Sequence, residues 1–134
     1  MPLFIWKSAY EIKIPEIDLD HRHLVGLIND LYEQMKTGHG YELIDEVIDQ
    51  LIDYVGSHFD REEGFMRAGS YPAMTDHLAE HERFRAHILE MDARRRSGVS
   101  PTAIELLNYL SDWLRDHVST ADKKMGQYLR RVAD

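Results

Sequence analysis

The chain has 134 residues, 43% hydrophobic and 30% charged, and its 24 acidic and 16 basic side chains leave a net charge of −8. That length suits a single domain able to bury its own core, and the acidic balance excludes a surface built for nucleic acid or an anionic membrane. With no cysteine, disulfides, iron–sulfur ligation and thiolate zinc sites are excluded as well.

Residues 1–17 carry Phe4, Trp6 and Tyr10 together with Pro2 and Pro15, and show no helical period. They read as an extended arm whose aromatics pack on the rest of the molecule. No apolar run approaches the roughly 20 residues of a membrane span, and no signal-peptide pattern is visible; the expected location is cytoplasmic.

A helical period begins near Asp18. Ile17, His21, Leu24, Ile28, Leu31 and Met35 recur three or four apart, predicting a helix over about 18–37 that stops at Gly38 and Gly40. The second helix is expected over about 41–68, with Ile44, Val47, Ile48, Leu51, Val55, His58, Glu62 and Met66 inward. Gly69-Ser70-Tyr71-Pro72 breaks it. The third runs over about 72–96, burying Met74, His77, Leu78, His81, Phe84, Ile88 and Met91. After a turn at 97–101, Ser100 is the expected N-cap and Pro101 the first helical residue. The fourth helix, about 101–118, carries Ile104, Leu107, Leu110, Trp113, Leu114 and His117 inward, and a short tail helix covers about 120–132. Four amphipathic helices on short turns predict an all-α, antiparallel up-down-up-down four-helix bundle, one domain over 1–134.

The chemistry lies on the buried stripes. Each helix places histidine there: His21, His58, His77 and His81, and His117. His58 and Glu62 are four apart, as are His77 and His81; four helical steps differ from a full turn by only about 40°, so each pair shares a face. In an up-down bundle all five histidines lie toward one end. Buried without a cation, so many polar atoms would cost about 1–3 kcal/mol each. A nitrogen-rich set with carboxylates suits iron, manganese, copper or zinc in a two-metal cluster, and the spacing leaves that choice open. His23, His39 and His87 fall off the stripes and are read as non-ligands.

These residues in this order resemble the hemerythrin family, and within it the single-domain bacteriohemerythrins. The resemblance rests on Asp18-Leu19-Asp20-His21-Arg22-His23-Leu24, on His58-Phe59-Asp60-Arg61-Glu62-Glu63-Gly64-Phe65-Met66, on Tyr71-Pro72 followed by His77-x-x-x-His81-x-x-Phe84, and on Trp113-Leu114-x-x-His117-Val118-x-x-x-Asp122. Trp6 also falls where the family's arm commonly carries a tryptophan. The resemblance implies two iron ions, one bound by His77, His81 and His117 and the other by His21 and His58. Glu62 and Asp122 would bridge them beside an oxo or hydroxo group, and dioxygen would bind reversibly at the vacancy on the second iron. Leu24, Phe59, Trp113 and Leu114 would line the oxygen pocket. Asp122 enters only through the resemblance: five residues from His117 is about 140° off in a regular helix, so a helix break is expected near Ser119 and Thr120.

The expected function is therefore reversible dioxygen binding and not enzymatic turnover, with dioxygen as partner and neither nucleic acid nor membrane. The alternatives are a diiron oxidase or peroxidase, a nitric-oxide-handling protein, or an iron- or oxygen-responsive interaction module. The Glu-x-x-His pairs of ferritin-like diiron enzymes do not occur at matching positions.

Overall fold

Proline fixes where the first helix begins. Pro15 occupies its first turn, where a missing N–H costs nothing, and α1 spans Pro15–Lys36 in a computed structural model that describes residues 6–133. The other helices are α2 (Ile44–Ala68), α3 (Met74–Arg96), α4 (Ala103–Trp113) and α5 (Lys123–Ala133), with a π-helical stretch over Leu114–Asp122 and short 3-10 turns at Ser8–Tyr10 and Gly40–Leu43. Among the described residues there is no strand. α2 packs on α1 and α3, and α4 returns beside α1, giving the expected bundle.

Three helices stop the same way. After α1 the chain turns left-handed at Gly38 (φ 81°), after α3 at Gly98 (φ 90°), and after α2 at Ser70 (φ 52°). In each case two N–H groups just past the end reach back to the last carbonyls, as in His39 N to Gln34 O at 2.8 Å, Val99 N to Arg94 O at 2.9 Å and Tyr71 N to Met66 O at 3.0 Å. These Schellman closures satisfy carbonyls that would otherwise face the ends unpaired.

Two expectations are corrected at the start of α4. The cap is Thr102, not Ser100: its hydroxyl accepts the Glu105 N–H at 3.1 Å, so Pro101 lies before the helix rather than in it. Thr102 wins because Glu105, three residues on, completes the Thr-x-x-Glu pattern of a capping box. Ile104, expected inward, is 50% exposed, and Leu106 is buried instead.

The main core gathers Leu24, Ile28, Leu31, Ile48, Leu51, Phe59, Phe84, Ile88, Leu110 and Leu114 around the bundle axis. A smaller cluster joins Ile12, Ile14 and Ile17 to Met66, Tyr71, Met125 and Leu129, which seats the arm on α2 and α5. Asp18 holds that arm, accepting the Ile12 and Lys13 N–H groups at 2.9 and 3.1 Å. Gly126 allows the approach: a Cβ there would lie 2.8 Å from the Ile12 carbonyl oxygen. Trp6 packs against the main core, with Tyr10 beside it and the Arg22 guanidinium over its ring. Phe4 and Pro2 lie outside the described residues.

Candidate metal centre

The seven side chains singled out in the sequence come together at one end of the bundle. His21 projects from the second turn of α1, His58 and Glu62 from the second half of α2, and His77 and His81 from the first turns of α3. His117 and Asp122 come from the π-helical stretch. The expected helix break does not occur. The chain stays helical from Ala103 to Ala133, and bonding from each residue to the fifth one on widens the turn. Two residues five apart thereby share a face, and His117 Nε2 lies 3.0 Å from Asp122 Oδ1. Ser119 and Thr120 do not cap a break; their hydroxyls donate back to the Leu114 and Asp116 carbonyls.

The two carboxylates stand between two histidine groups. Glu62 turns Oε1 toward His77 and His81, each 3.1 Å from it, and Oε2 toward His58 at 2.7 Å and His21 at 3.4 Å. Asp122 repeats the pattern, with Oδ1 near His77 (2.9 Å) and His117 (3.0 Å) and Oδ2 near His21 (3.1 Å). Two sets of donor atoms result, each mutually within 4.8 Å: His77, His81 and His117 with both acids, and His21 and His58 with the same two acids. All seven residues are buried.

Many of these contacts are close without being aligned as hydrogen bonds. His21 Nε2, His58 Nε2, His117 Nε2, Glu62 Oε2 and both Asp122 oxygens are buried with no hydrogen-bond partner. Leaving them so would cost about 1–3 kcal/mol each, whereas lone pairs converging on common points suit cations. Five imidazoles and two carboxylates form a donor set that first-row divalent metals accept and that calcium or magnesium does not favour. The residues present fit a two-metal centre.

The protonation balance has the same cause. Burial works against charge on His21 and His77, but Asp122 and Glu62 outweigh it and push both rings up to about 10. Burial is likewise overcome at His117, where Asp122, Glu80 and Glu62 raise the ring to about 9. His58 is raised against burial by Glu62 and Asp20. In return, and also against burial, Glu62 is held far below its ordinary range by His58, His21 and His77, and Asp122 by His117 and His21. Without a metal, protons on the rings do the work of cations.

Sequence reasoning missed a ring of groups around this cluster. Asp20, Glu63 and Glu80 face the outer nitrogens of His58 (2.8 Å), His81 (3.1 Å) and His117 (2.9 Å). Such partners fix the tautomer, so that Nε2 presents its lone pair inward. Aromatic rings cover the same three imidazoles: Tyr54 stacks on His58 with ring centres 4.6 Å apart, Phe59 on His81 at 3.9 Å, and Trp113 on His117 at 3.9 Å. The only sequence signal was adjacency, since Asp20, Glu63 and Glu80 each neighbour a candidate ligand. Of the expected pocket residues, Leu24, Phe59 and Leu114 are fully buried in the main core and Trp113 packs against it. His23 is exposed and faces Gln50, His39 is exposed beside Glu42, and His87 stacks on Tyr109 away from the cluster.

Comparison with known proteins agrees with this geometry. The model of the hemerythrin HHE cation binding domain matches residues 13–129. The chain is similar to a bacteriohemerythrin of Stenotrophomonas maltophilia, with 33% identity over 92% of this chain and 79% of that one. It is also similar to a hemerythrin of Sipunculus nudus, with 27% identity over 94% and 93%. Its fold is similar to the crystal structure of a hemerythrin leucine-to-alanine mutant, with a TM-score of 0.84 and 27% identity over 96% of this chain and 98% of that one. The chain belongs to the hemerythrin family.

Proposed function

We propose that this chain is a non-haem diiron protein that binds dioxygen reversibly. The observation that carries the reading is the division of each carboxylate between the two histidine groups. In this reading His77, His81 and His117 would hold one iron and His21 and His58 the other, with Glu62 and Asp122 shared between the two groups and a solvent-derived oxo or hydroxo group completing the cofactor. Bound there, iron would supply the electrons that dioxygen binding requires. The His21–His58 group has one histidine fewer, which would leave room on that side for an exogenous ligand. Leu24, Phe59, Trp113 and Leu114 would line the pocket and keep water from the centre. Asp20, Glu63 and Glu80 hold the rings in place.

The proposal includes a single domain over the whole chain, binding rather than turnover, and a cytoplasmic location. Among the described residues no helix is long and apolar enough to cross a membrane. The test is anaerobic reconstitution with ferrous iron, metal analysis, and stopped-flow titration with oxygen followed by removal of oxygen under argon. Two irons per chain and oxygen returned on deoxygenation are expected. One iron at saturation, or oxygen consumed without return, would refute the reading.

A further inference from the structure

Three ligand-type histidines carry an aromatic ring face to face, and the three rings differ in what they can do. Phe59, on His81, is too hard to oxidise to exchange electrons. Tyr54, on His58, is oxidisable, but its hydroxyl is buried beside the Trp113 indole, and its other ring contacts are Phe59 and Phe84, both buried. A phenol in that position has no water to take its proton, and its one oxidisable neighbour is Trp113 itself. Trp113, on His117, is oxidisable and also leads outward.

Its ring lies 4.3 Å from Phe84, which lies 5.6 Å from Tyr109. Tyr109 stands one helical turn before Trp113 on α4, so the two share a face. Both line a groove of about 450 Å³ between α3 and α4 that reaches His117. Tyr109 is only half-buried and stacks on His87 with ring centres 3.7 Å apart. Trp113 Nε1, in contrast, is buried with the Tyr54 hydroxyl beside it. A phenol is a poor base, so an oxidised Trp113 does not pass its proton to solvent, whereas Tyr109 can release its own to groove water.

We propose that Trp113 and Tyr109 form an electron path from the metal centre to the α3–α4 groove, which drains oxidising equivalents when peroxide reaches the centre. The proposal rests on the diiron reading above. Each transfer moves one electron from Trp113 toward the centre. Tyr109 refills Trp113 and passes one phenol proton to water, leaving a tyrosyl radical, and a soluble thiol restores Tyr109 by giving up a hydrogen atom. Two such transfers supply the two electrons and two protons that convert one hydrogen peroxide into two waters, and the two thiyl radicals left behind couple to a disulfide.

The test mixes iron-loaded ferric protein with hydrogen peroxide in the absence of thiol, freezes it within the reaction, and counts organic radicals by electron paramagnetic resonance per diiron site. Wild type should give a tyrosyl signal. Tyr109→Phe should replace it with a tryptophan signal, and Trp113→Phe should reduce it to background. Trp113→Tyr, which restores an oxidisable ring, should recover a radical, as a purely structural role for Trp113 would not. A Trp113→Phe protein with two irons and the wild-type Tyr109 radical overturns the path. So does a loaded wild type with no organic radical, and both results leave the diiron reading standing. A chain that fails to take up two irons overturns both.

Discussion

Asp20→Ala should weaken one metal position and spare the other. Asp20 accepts from His58 Nδ1 at 2.8 Å and is also paired with Arg61. Losing the Arg61 pair matters little, because its partners are 38% and 23% exposed and such pairs contribute about 0–1 kcal/mol. Losing the grip on His58 matters more: removal of an outer hydrogen-bond partner typically lowers metal affinity about 10–100-fold, or about 1.4–2.8 kcal/mol. Water reaches a side chain as exposed as Asp20 and replaces part of the lost bond, so the lower half of that range is expected. His58 belongs with His21, so the loss should fall on the second iron bound, and chelator titration should resolve two steps where wild type shows them nearly merged. Glu80→Ala, acting through His117, should weaken the three-histidine position instead. Equal weakening of both steps in both variants, or no weakening in either, would show that these carboxylates do not orient the rings.

Replacing His58, His81 or His117 by alanine should reduce or abolish iron binding, whereas alanine at His23, His39 or His87 should leave two irons per chain by metal analysis. The metal-free protein should lose stability toward alkaline pH. Rings raised from 6.5 to about 9 or 10 stabilise the fold fully below about pH 6.5, and that contribution disappears as pH rises through about 9–10. Glu62 and Asp122, held low, contribute above their ordinary range and lose this as pH falls. Thermal melts of metal-free protein should therefore peak on the acid side of neutrality, metal uptake should release protons, and a flat alkaline limb would contradict the charge assignment. Leu114→Ala should keep its iron but cost about 2–5 kcal/mol of stability and hasten decay of the oxygenated form, followed by its absorption; equal decay in mutant and wild type would make Leu114 a packing residue only.

What the sequence made legible was whatever helical periodicity encodes. His21, His58, Glu62, His77, His81 and His117 stand on apolar stripes, so their convergence follows from phase and antiparallel topology. Asp122 did not follow, because its phase depends on hydrogen bonding that a regular helix lacks. Asp20, Glu63 and Glu80 were hidden for another reason: each serves a histidine on a different helix, and only packing makes such pairs. At the start of α4 two hydroxyl residues two apart competed as caps, and Glu105 decided between them.

The π-helical stretch ties residue count to hydrogen-bonding pattern between His117 and Asp122. Deleting any one of the four intervening positions and relaxing to an ordinary α-helix would leave Asp122 four residues from His117, which is again a shared face, so Met125 and Leu129 would keep their places against Ile12 and Met66. Inserting a residue there has no such compensation: unless the turn widened further, everything beyond it would rotate by about 100°. A library that varies length by one residue across 118–121 should thus tolerate deletions better than insertions.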